Sequence, residues 1–301
     1  MGNLYSSYSK NYDELEYRDD FMFGKVMEDP ILCHDVLECL LQQPVGELSD
    51  IQPQREFRYT TDGKPIRIDI YTQDDDSVYD AEMQNLNHKS IESLALPKRS
   101  RFYQSSIDID AMNKTDSYGK LPTSYVIFIC TFDPFGKGFS RYTFRNRCDE
   151  DRDIELGDAS IKCFYNCSYD GNDIPDELKQ LYVYVMNGQA QSNLANRIDN
   201  AVMRARQNNE WRSAYMKERA LFMDLRNEGR EEGREEGRTE LLISQVCKKL
   251  KKGKSAINIA EELEEDKTRI QIICDVAAEF APEYDINKIM VRLESIIPAQ
   301  I

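Results

Sequence analysis

The chain has 301 residues, a formal charge of -15 from 39 Lys plus Arg against 54 Asp plus Glu, 41% apolar residues, eight Cys and only two His. The apolar share supports a packed core, whereas the charge excludes a protein that coats nucleic acid by bulk electrostatics, because phosphate contacts need a cationic face. With His34 and His88 alone, a three-imidazole zinc site and paired-His acid/base work are excluded as well.

The N-terminal segment lacks an apolar h-region, and the longest strongly apolar run, YVIFIC at 125–130, is far short of a membrane span. A cytoplasmic chain without a membrane segment is expected. The cysteines include no C-x-x-C pair and read as reduced, mostly buried thiols. DFMFGKVM (20–27) reads as a short helix. Asp29-Pro30 opens a second one, in which Ile31, Val36, Leu37, Leu40 and Leu41 form one stripe up to the Gln42-Gln43-Pro44 stop. Three strand patterns follow at about 54–60, 66–72 and 78–84, with Asp62-Gly63 and Asp74-Asp75-Asp76 as turns, which makes a β-meander. Next come a helix at about 89–112, a buried strand at 123–132, strands near 140–147 and 160–166, and a helix opened by Ile174-Pro175-Asp176.

This order predicts an α/β fold over residues 1–190, with a mixed sheet flanked by helices. Residues 1–190 hold 20 basic and 34 acidic residues, and 191–301 hold 19 and 20, so the acidity is concentrated in the core. The remainder reads as a long helical connector over 191–240 and a small all-helical, helix-turn-helix-like region over 241–301. The connector repeats RNEG, REEG, REEG, RTE. This four-residue period sets Gly229, Gly233 and Gly237 in one row that suits close approach of another helix, against a solvated connector as the plainer reading.

Chemistry concentrates in the meander. Strand alternation puts Asp69 on one face with Arg67 and Tyr71, opposite Ile68 and Ile70, and puts Glu82 and Gln84 together on the next strand. If the two strands pair, the carboxylates converge, and paired carboxylates suit a hard cation such as Mg²⁺. Taken alone, each acid also reads as a solvated strand-face carboxylate, and Asp20 as a helix N-terminal acid.

The motifs DFMFGKVM, RIDIY around Asp69, YDAEMQ around Glu82 and Gln84, KRSRFYQSSID (98–108), SYVIFICTFDPFG (124–136) and the EGREEG run occur here in that order. In them the chain resembles the PD-(D/E)XK nuclease-family transposases, the group that includes recombination-promoting nucleases. The resemblance implies a restriction-endonuclease-like core that cuts a DNA phosphodiester with activated water. It further implies Mg²⁺, with Mn²⁺ as a substitute, held by Asp69 and Glu82 and supplemented by Asp20. Gln84 occupies the place where many nucleases carry a lysine; a neutral amide orients water without supplying charge, so the charge is expected from Lys98, Arg99 or Arg101. Tyr103 and Gln104 share the following helix and join them as candidate substrate contacts. The C-terminal helices, with the KKLKKGK cluster (248–254), are expected to contact DNA or to pair two chains as a homodimer. The competing reading keeps the fold as an inactive or weakly active DNA- or protein-interaction module; RNA as the substrate also stays open.

Overall fold

The computed structural model describes residues 8, 10–57, 66–85, 95–112 and 117–296. The predicted Asp62-Gly63 turn and the predicted start of the third helix near 89 lie outside them. The chain forms two compact units, residues 1–220 and 221–301.

In the first unit, α1 (Asp20–Met27) and α2 (Pro30–Leu41) precede the meander. Asp29 caps α2, its side chain accepting the N–H groups of Ile31 and Leu32, and Pro30 fills the first turn, where no N–H partner is needed. The strands are β1 (Ser49–Phe57), β2 (Ile66–Gln73), β3 (Ser77–Gln84), β4 (Thr123–Cys130), β5 (Arg141–Phe144) and β6 (Ser160–Asn166). β1 starts five residues ahead of the predicted strand because Pro53 lies inside it. A missing N–H is tolerated there because β1 is an edge of the sheet, whose order is β1-β2-β3-β4-β6-β5. The first three strands are antiparallel, β3-β4 and β4-β6 are parallel, and β5 returns antiparallel to β6. The result is the expected mixed sheet with flanking helices.

Between β3 and β4 the chain runs through α3 (Leu96–Met112), and its residues Leu96, Tyr103 and Ile107 pack on Val126, Phe128, Cys130 and Phe164. The opposite face meets α2: Gln43 Nε2 donates to the Tyr125 hydroxyl at 2.9 Å and Tyr165 donates to the Leu40 carbonyl at 2.8 Å. After β4, the CTFDPFG turn is held by Asp133. Its carboxylate accepts the N–H groups of Phe135, Gly136 and Gly138 and the Tyr142 hydroxyl, and Gly136 and Gly138 take the positive φ that this wrap requires.

The unit ends with α4 (Asp176–Asn187), α5 (Asn193–Arg206) and the start of α6 (Asn209–Leu250). The predicted single long helix is thus broken at 207–208. Asn208 caps the new start by accepting the N–H groups of Glu210 and Trp211.

The second unit packs the end of α6 with α7 (Ala256–Leu263), α8 (Lys267–Ala278) and α9 (Ile286–Ile296) around Ile243, Val246, Ile259, Ile270, Ala277 and Ile289. Gly229, Gly233 and Gly237 have nothing within 4 Å of the place a Cβ would take. The lysine cluster is partly neutralised, because Lys249 and Lys254 both donate to Glu262; these ion pairs hold the Glu262 carboxyl well down, at about 2. No helix among the described residues is long and apolar enough to cross a membrane.

All eight cysteines are free, and all but Cys148 are buried. Burial pushes the Cys33 and Cys39 thiols up to about 12, which removes the reactive thiolate at neutral pH. A disulfide-exchange reagent is therefore expected to label one thiol rapidly in the native protein and eight in denaturant. Cys148→Ser abolishes the fast phase; fast labelling that survives this substitution contradicts the burial.

Candidate active site

The site is built on the β2-β3 hairpin and closed by α3. Register pairs Ile70 with Ala81 and Tyr71 with Asp80, which brings Asp69 beside Glu82. The two acids interlock: Glu82 Oε1 accepts the Asp69 N–H at 2.8 Å, and Asp69 Oδ2 accepts the Met83 N–H at 3.1 Å. Both side chains are buried. Strict alternation sets Ile68 and Tyr71 on opposite faces of β2, yet both belong to the cluster under α3. The alternation therefore breaks at Asp69-Ile70, where the Asp69 N–H bonds a side chain instead of the neighbouring strand.

The parallel register with β4 pairs Asp80 with Val126, Glu82 with Phe128 and Gln84 with Cys130, so all three polar residues lie on the face covered by α3. Arg99 reaches down from α3. Its Nη2 donates to Glu82 Oε2 and to the Tyr103 hydroxyl, and its Nη1 to Gln84 Oε1, each at 3.0 Å. Residues 99 and 103 are one helical turn apart and share a face, whereas Lys98 and Arg101 point elsewhere on the helix and are exposed. Gln104 is also turned away, donating to Asp108 and Ser124.

Asp20, at the first position of α1, is buried, and its charge adds to those that raise Glu82. The neighbouring Asp19 is taken up by a 2.7 Å ion pair with Lys10.

Loss of water raises Asp69, Asp80 and Glu82 well above the usual carboxylate range. Each is raised further by a second acid, Glu82 for Asp69, Asp69 for Asp80 and Asp80 for Glu82, against the lowering charge of Arg99. Arg67 opposes the rise at Asp69. Asp80 did not figure in the sequence reading, although its period-two relation to Glu82 and Gln84 was visible. Neither of its oxygens has a hydrogen-bond partner among the described residues, and neither does Gln84 Nε2.

Buried carboxylates supply the all-oxygen chemistry that a hard divalent cation takes, and one of them, Asp80, has no hydrogen-bond partner among the described residues. No three of these acids lie within 4.8 Å of one another; among the described residues the only three possible ligands that do are His34, Asp35 and Glu38. That surface group is satisfied internally. The His34 nitrogens face Asp35 and the Val45 carbonyl, Glu38 accepts the Val45 N–H, and Asp35 is paired with Arg197.

Residues 18–147, which span α1 to the end of β5 and contain every residue of this site, match the family model described as PD-(D/E)XK nuclease family transposase. No curated protein and no solved structure matches the chain. The mixed sheet, its flanking helices and the helical region after it are those of a restriction-endonuclease-like fold. Residues 18–147, the segment that holds the whole site, are thus similar to the PD-(D/E)XK nuclease family transposases.

Proposed function

We propose that the chain is a DNA endonuclease that depends on a divalent cation, with Mg²⁺ as the working ion and Mn²⁺ able to replace it. The observation that carries this reading is the interlocked Asp69-Glu82 pair under α3, inside the segment matched by the family model. Asp69 and Glu82 hold the cation, and Asp20 adds negative charge from α1. A cation bound there activates water and neutralises charge on the phosphodiester.

The chain's own groups do the rest. Arg99 supplies the positive charge absent from Gln84 and stabilises charge that builds on the phosphate. Gln84 gives its Oε1 to Arg99, which leaves Nε2 as a donor; it orients a water or a phosphate oxygen and does not take a proton. The apolar shell of Phe128, Cys130 and Leu96 keeps bulk water away and strengthens each of these charge interactions.

The reading is tested by incubating the protein with supercoiled plasmid in Mg²⁺, Mn²⁺ or Ca²⁺. Nicking is expected in Mg²⁺ and Mn²⁺, with a loss of about a hundredfold or more in both Asp69→Asn and Glu82→Gln. Nicking that persists in both variants removes the assigned site. A second reading, an interaction module without catalysis, is favoured by one observation: Arg99 already neutralises Glu82. It predicts no nicking in any cation while DNA or protein binding is kept.

A further inference from the structure

We propose that Asp80 is a further carboxylate of the cation site, acting with Asp69 and Glu82; this rests on the reading above. Asp80 lies two residues before Glu82 on the same strand, opposite Tyr71 of β2 and beside Val126 of β4, on the face that α3 covers. It is 0% exposed, yet both carboxylate oxygens are unpartnered among the described residues. An isolated carboxylate is one of the most costly groups to bury. Protonation does not resolve the problem, since it leaves a buried hydroxyl and a carbonyl with nothing to bond. Arg99, whose charge acts on Asp80, donates hydrogen bonds to Glu82, Gln84 and Tyr103 and none to Asp80.

Asp69, Asp80 and Glu82 act on one another, and Arg99 opposes all three. A hard cation held by Asp69 and Glu82 supplies, through the water it holds, the partner that both Asp80 oxygens lack. The sequence pattern Asp80-Ala81-Glu82-Met83-Gln84 therefore contributes three site residues from one strand face, rather than the two carried by the family resemblance.

The test uses the full chain with Mn²⁺ as the probe and calorimetric titration plus thermal melting as readouts, so it does not depend on turnover. Asp80→Asn keeps the shape and removes the charge. Its affinity for Mn²⁺ is expected to fall at least tenfold, its melting temperature in EDTA to stay level or rise, and the stabilisation by Mn²⁺ to shrink. Asp80→Ser, smaller and neutral, is expected to show the same loss of affinity should the amide disturb folding. Unchanged affinity in a folded Asp80 variant, with binding lost in Asp69→Asn, overturns this proposal and leaves the assigned pair intact. No Mn²⁺ binding by the unsubstituted protein overturns both.

Discussion

Arg99→Ala is expected to destabilise the metal-free protein by about 3 kcal/mol, the cost of breaking a buried ion pair and leaving one partner uncompensated. Arg99 is 22% exposed and Glu82 1%, so solvent screens this pair little. The substitution strands Glu82 Oε2 and Gln84 Oε1 at once, leaves the Tyr103 hydroxyl only its bond to the Arg67 carbonyl, and removes a guanidinium 5.2 Å from the Tyr103 ring and 5.6 Å from that of Phe128. The unpaired carboxylate is the dominant cost, so Glu82→Gln placed on Arg99→Ala is expected to recover part of the loss. Urea unfolding in EDTA checks both. A loss within experimental error of zero, or a double variant less stable than Arg99→Ala alone, removes the ion pair from the account.

Phe128→Ala is expected to cost about 4 kcal/mol, because its ring lies at the centre of the packing between the sheet and α3 and the surrounding strands cannot collapse into the space it leaves. Phe128 is fully buried, stacked 5.1 Å from Phe164 at 9° and 6.2 Å from Tyr103 at 19°. Tyr103 also holds Arg99, so the loss extends to the site. Phe128→Ala and Arg99→Ala share these neighbours and are expected to add less than fully in a double-mutant cycle. Full additivity shows that the aromatic stack and the ion pair are independent.

The sheet, most helices and the pairing of Asp69 with Glu82 were legible in the sequence because each has a strong local signal: alternation, a cap or a turn. Pro53 hid the start of β1, since a proline reads as a break until the strand is known to be an edge. The break before α6 depended on one Asn among polar neighbours, and α9 on the Asp285 cap within EYDINKIM. In the site, the helical period distinguishes Arg99 and Tyr103 from Lys98 and Arg101, but only the packing of α3 shows which face turns inward. Asp80 was overlooked because an acid beside a tyrosine on a strand resembles a surface residue. Its burial follows from the β3-β4 register, which depends on residues more than forty positions away.

The hairpin that carries the site has a consequence for assembly. Asp69, Asp80, Glu82, Gln84, Arg99 and Tyr103 all fall within one 35-residue stretch of the chain. Contacts this near in sequence cost little closure entropy and form early in folding. Asp20 alone reaches the group from a distant segment. Substitutions in β5, α4 or α5 are thus expected to change how much protein is folded while leaving the chemistry of the folded fraction untouched, so losses of activity from those regions track abundance and not turnover.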